Sequence, residues 1–113
     1  IVGVISNVDT QTLYKVLKGA NLLNLLDVAV SSEEVGAYKP NPLPFSEALN
    51  RAKVTAHQAI YIGDRARDFL GAKGVGMTTV LIGEKLDKET TFMPDYVVKT
   101  LKEAYELVIN MFS

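Results

Sequence analysis

Ala59-Ile60-Tyr61-Ile62-Gly63-Asp64-Arg65-Ala66-Arg67-Asp68 is the stretch on which the fold turns. Ala59–Ile62 is a short apolar run with β-branched residues, the pattern of a buried strand. Gly63 permits a tight exit from it. Asp64 follows at once, and a short helix is predicted over about Ala66–Lys73, ended by Gly74 and Gly76. A strand running through Gly-Asp into a helix is half of a βα unit.

The same alternation continues on both sides. Upstream, Ile1–Ile5 reads as a buried strand, and Leu13, Val16, Leu17 and Ala20 fall on one helical face. Asp27–Ser31 reads as a second strand and Ser32–Pro42 as a polar loop. Pro44 suits the first position of a helix carrying Phe45, Ala48, Leu49 and Ala52. Downstream, Thr78–Ile82 is a fourth strand, Gly83–Pro94 a polar loop and Tyr96–Val98 a short last strand. Leu101, Ala104, Tyr105, Val108, Met111 and Phe112 mark an amphipathic terminal helix. Strands alternating with helices predict a three-layer α/β/α Rossmann-like domain over residues 1–113, with a mainly parallel sheet.

The chain has 113 residues, net charge −1, 48% apolar and 22% charged residues, and no cysteine. This is the composition of an ordinary globular domain. It excludes disulfides and thiol catalysis. The near-zero charge argues against nucleic acid as a partner. No apolar run approaches the roughly 18–20 residues of a membrane span, and no signal segment opens the chain, so a cytoplasmic protein is expected.

In parallel sheets ligands bind beyond the carboxyl ends of the strands, and three such ends carry chemistry here. Asp64 and Asp68 lie four residues apart, one helical turn. Two readings stand for them: ligands of a hard cation such as Mg²⁺, or a helix N-cap and a first-turn acid. Lys39 lies in Gly36-Ala-Tyr-Lys-Pro-Asn-Pro42, and Pro40 biases it to extended backbone. It reads as a cation for a phosphoryl oxygen or as a solvated turn lysine. Ser6 and Asn7 end the first strand as anion-binding donors, or as part of an N-cap in which Asn7 or Asp9 starts the next helix. Together, hydroxyl, ammonium and paired carboxylates are the parts phosphoryl transfer requires. His57 reads as a surface histidine, and Gly74-Val-Gly76 follows a helix rather than a strand, the wrong order for a dinucleotide loop.

This set resembles the haloacid dehalogenase superfamily of phosphohydrolases. Ser6 in Val-Ile-Ser-Asn is similar to its second motif, Lys39 in Tyr-Lys-Pro-Asn-Pro to its third, and Gly63-Asp64-Arg-Ala-Arg-Asp68 with Gly71–Met77 to its fourth. Pro94-Asp-Tyr-Val-Val98 and the helix after it resemble the end of the phosphoglycolate-phosphatase-like branch. The resemblance implies a magnesium-dependent phosphate-monoester hydrolase acting on a small phosphorylated substrate. Ser6, with Asn7 beside it, would bind the phosphoryl group. Lys39 would offset charge and orient the nucleophile, and Asp64 and Asp68 would help hold Mg²⁺.

One part of the family pattern is missing. Its first motif, an Asp-x-Asp whose first aspartate is the nucleophile, occurs nowhere in this sequence, and Asn7-Val-Asp9 reads as context of the second motif. The chain also enters a strand directly at Ile1, where a few loose residues are usual. The resemblance therefore implies the C-terminal part of such an enzyme, inactive alone, without the nucleophile strand and the cap that follows it. That strand belongs between Ile1–Ile5 and Ala59–Ile62. The gap is expected to be filled by an N-terminal segment, by a strand from a second copy, or by direct closure of the two strands. The alternatives are a non-catalytic phosphate- or metal-binding module, for which a phospho-receiver would use Asp64, and an assembly module working through its open strand edges.

Overall fold

The computed structural model describes residues 1–65, 69–83 and 94–111. The start of the predicted fourth-motif helix, the loop at 84–93 and Phe112 lie outside that set. Strand β1 (Gly3–Ser6) leads to helix α1 (Thr10–Gly19), and β2 (Val28–Ser31) runs directly into a one-turn helix, α2 (Ser32–Val35). Helix α3 (Leu43–Ala52) precedes β3 (Ile60–Gly63) and α4 (Phe69–Val75). Strands β4 (Thr78–Ile82) and β5 (Tyr96–Val98) and helix α5 (Leu101–Met111) follow. Every strand pair is parallel: β1 with β2, β3 with β4, and β4 with β5.

Local chemistry sets most boundaries. Asp9 caps α1, its carboxylate accepting from the Thr12 backbone N–H at 2.8 Å and the Thr12 hydroxyl at 2.7 Å. The Thr12 N–H, then its hydroxyl, hold the Asp9 carboxyl below the usual range. Protonation of the unfolded chain begins near pH ~3.9. The stabilisation is therefore complete above that value and is lost as pH falls through the lower folded pKa. Thermal melts of the chain and of Asp9→Asn should differ by a constant amount near neutral pH and converge in acid. A difference that does not change with pH would exclude this cap charge as its source.

Several boundaries depart from the sequence reading; β1, β2 and β3 are Gly3–Ser6, Val28–Ser31 and Ile60–Gly63 rather than Ile1–Ile5, Asp27–Ser31 and Ala59–Ile62. Ser32–Val35 is helical, not loop, because Ser31 and Glu34 form a capping box and Gly36 closes the turn at φ 80°. One turn is too short to show periodicity, but Ser31-x-x-Glu34 is a legible signal. In α4, Gly74 lies inside the helix, and the chain turns at Gly76, φ 95°. Pro44 sits one position further into α3 than predicted, still within the turn where its missing N–H costs nothing.

Helices α3 and α4 cover one face. Their core is Phe45 and Ala72 with Met77, joined by Ile5, Leu49 and Tyr61. Arg51, braced within α3 by Glu47 (2.8 Å), ties that helix to Glu34 of α2 (3.0 Å) and to the Ala29 carbonyl of β2 (3.0 Å). Asp95 pins the start of β5, its carboxylate accepting from the Thr79 backbone N–H at 2.8 Å and the Thr79 hydroxyl at 3.1 Å. Ile62, next to Tyr61 and so on the opposite face, lines an apolar hollow with Leu101, Tyr105 and Val108 of α5. Among the described residues of the predicted stripe on α5, Ala104 alone is buried; Leu101 and Tyr105 remain 70% and 65% exposed.

The β-structure falls into two sheets, β1-β2 and β3-β4-β5. Between them lies a cleft of about 690 Å³, lined by Ile1–Ile5 on one side, Ala59–Ile62 on the other, and Ala48, Leu49 and Ala52 of α3. Direct closure of the two strands, one of the three expected ways to fill the gap, does not occur: β1 and β3 do not pair. No helix among the described residues is long and apolar enough to cross a membrane.

Candidate active site

Within each sheet the strands run parallel, and Lys39, bonded to both the Ile5 carbonyl and the Tyr61 hydroxyl, brings the end of β1 near β3. Ser6 closes β1, Ser31 closes β2, and Asp64 follows the last residue of β3. The Ser6 hydroxyl accepts from the Val8 N–H at 3.3 Å, folding the chain back toward α1.

Asn7 is committed to its neighbours. Its Oδ1 accepts from the Lys39 backbone N–H at 2.9 Å and from the Ser32 hydroxyl at 2.6 Å, and its Nδ2 donates to the Lys39 carbonyl at 3.2 Å. The amide thus grips Lys39 by both backbone groups. Ser32, assigned to a loop by the sequence reading, is fully buried at the head of α2 and fixes the orientation of that amide.

Lys39 spans the mouth of the cleft. Its Nζ donates to the Ile5 carbonyl of β1 at 3.0 Å and to the Tyr61 phenol oxygen of β3 at 3.3 Å, and lies 5.8 Å from the Tyr61 ring centre. One ammonium therefore links the strand that ends in Ser6 to the strand that leads to Asp64. Tyr61 is the contact the sequence reading missed. Its sequence context marks it only as a strand residue, although a tyrosine on a buried face has a hydroxyl that must find a partner.

Asp64 is exposed and has no hydrogen-bond or ion-pair partner among the described residues. Such a carboxylate at a sheet rim fits the oxygen chemistry of a hard divalent cation. Asp68 lies outside the described residues. Among the described residues, no group of three or more His, Cys, Asp or Glu side chains gathers. His57 is exposed in a short turn before β3, at the opposite end of that strand from Asp64.

Comparison with known proteins gives a consistent result. The profile of the haloacid dehalogenase-like hydrolases matches residues 1–82. The pyrophosphatase PpaX of Halalkalibacterium halodurans is 33% identical over 101 residues, which are 87% of this chain and 47% of that protein. A glyceraldehyde 3-phosphate phosphatase of Methanopyrus kandleri is 40% identical over 85 residues, 70% of this chain and 36% of that one. The crystal structure of a HAD phosphatase from Thermococcus onnurineus superposes with a TM-score of 0.81 at 34% identity, covering 94% of this chain and 49% of that one. The chain spans about half the length, or less, of these relatives.

Proposed function

The chain belongs to the haloacid dehalogenase-like hydrolases, and from that premise we propose that it is the C-terminal core of a magnesium-dependent phosphate-monoester hydrolase. The observation that carries the reading is the Lys39 ammonium, held at the rim between the Ser6 strand and the Asp64 strand. Relatives named as a pyrophosphatase and as a glyceraldehyde 3-phosphate phosphatase support phosphoryl chemistry.

Each residue has a distinct task in this reading. Lys39 presents fixed positive charge to a phosphoryl oxygen, at no cost of reorganisation when charge develops. The Ser6 hydroxyl donates to the same group. Asn7 acts on Lys39 through its backbone. Asp64, with Asp68, would hold Mg²⁺, which neutralises phosphoryl charge when bound.

The nucleophilic aspartate is supplied by a segment outside these 113 residues, seated as a strand in the cleft between β1 and β3. Two parallel edges lie on either side of that apolar cleft, and an added parallel strand would pair with both. The segment comes from the same protein or from a second copy.

The test is direct. The 113 residues alone should not hydrolyse p-nitrophenyl phosphate with or without Mg²⁺. The same residues joined to an upstream Asp-x-Asp segment should do so only with Mg²⁺. Magnesium-dependent turnover by the chain alone, or none by the joined chain, would sink the proposal. NMR signals of Asp64 and Asp68 that ignore Mg²⁺ in the folded joined chain would favour an assembly module instead.

A further inference from the structure

We propose that Tyr61 is a positioning residue for Lys39, and that Gly63 is glycine because Tyr61 needs its space; this rests on reading Lys39 as the cation of the site. The ring of Tyr61 is wedged edge-on between Phe45 (centroids 5.0 Å apart, planes at 82°) and Phe69 (5.5 Å, 77°). Packing alone would be served equally by phenylalanine. The hydroxyl adds an acceptor 3.3 Å from Nζ.

Gly63 explains how the hydroxyl reaches the rim. Residues two apart on a strand share a face, so a side chain at 63 would stand directly in front of Tyr61. A Cβ there would lie 3.1 Å from the Tyr61 ring and 3.4 Å from its oxygen. Without that Cβ the ring can lean along the strand toward its carboxyl end. The sequence reading assigns this glycine a turn to make, yet Gly63 is not among the glycines with positive φ, so its backbone does not require glycine. The space does. Lys39 is then held at its backbone by Asn7 and at its tip by the Ile5 carbonyl and Tyr61 together, which costs the flexible side chain its freedom before a substrate arrives.

The experiment uses the chain joined to its Asp-x-Asp segment. Tyr61→Phe keeps the ring and removes the hydroxyl that accepts from Nζ. Its thermal midpoint should stay close to that of the parent. The ¹⁵N-detected Lys39 ammonium signal, assigned by its loss in Lys39→Arg, should broaden or vanish as Nζ is left with the Ile5 carbonyl but without the Tyr61 acceptor. With p-nitrophenyl phosphate, kcat should fall about tenfold at nearly constant KM, the scale of one charge-assisted hydrogen bond. An unchanged ammonium signal overturns the inference. So does unchanged kcat when Lys39→Ala is inactive. A fully active Lys39→Ala would instead overturn the functional reading, and the ammonium signal would still decide whether Tyr61 holds Lys39.

Discussion

Lys39→Ala, in a chain that also carries the Asp-x-Asp segment, is expected to lower kcat for a phosphomonoester by about 10²–10³-fold, the usual loss when one preorganised charge-stabilising donor is removed. The size follows from the geometry. Nζ is held by the Ile5 carbonyl and the Tyr61 hydroxyl, and the backbone at Lys39 by Asn7, so a soluble amine or a rearranged neighbour cannot reproduce its position. Lys39→Arg should recover little, because a planar fork does not meet two acceptors placed for a compact ammonium. Stability is the control, since the substitution also takes a donor from Ile5. A variant with a parental melting temperature and parental kcat would show that the ammonium is a strut and not part of the chemistry.

The second large effect is on stability. Gly71→Ala should destabilise the protein by about 1–3 kcal/mol, the cost of overpacking a tight interior, even though alanine is the better helix former by about 1 kcal/mol. A Cβ at 71 would overlap the Phe45 ring and lie 2.5 Å from the Pro40 carbonyl oxygen. Phe45 is fully buried and edge-packed on Tyr61, so it cannot swing aside. The strain would also push on Pro40, next to Lys39, so activity should fall along with stability. Gly74→Ala is the matched control: same helix, nothing within 4 Å of the added carbon, and a gain of up to about 1 kcal/mol expected from helix propensity. Thermal melts of the two variants should move in opposite directions. Equal or raised stability in Gly71→Ala would mean that α4 can slide away from α3.

Particular residues show why some features are legible in the sequence and others are not. Thr78–Ile82 and Tyr96–Val98 occur as strands with the bounds their composition predicts, because β-branched runs between polar breaks leave little choice. The cap of α1 is legible as Asn7 or Asp9, and the structure selects Asp9. The α2 turn escapes because periodicity needs more than four residues, and only its capping box could reveal it. The apolar stripe of α5 is legible as a pattern, but not that Leu101 and Tyr105 stay exposed; exposure depends on what else stands on that face of the sheet. Ser6, Lys39 and Asp64 stand out singly as residues at strand ends. That Asn7 is consumed in gripping Lys39, and that Tyr61 meets its ammonium, cannot be read from spacings of 32 and 22 residues.

The sequence by itself determined the succession of strands and helices, their direction and which residues stand at the strand ends, because side-chain periodicity, capping and turn chemistry act over a few residues. Only the tertiary structure decided that the sheet stays open between β1 and β3, that Lys39 bridges the opening, and that Gly71 has no room for a side chain beside Phe45 and the Pro40 carbonyl. Those outcomes come from excluded volume and hydrogen bonds between segments far apart in the chain, and no local pattern records which distant side chain will occupy a given space.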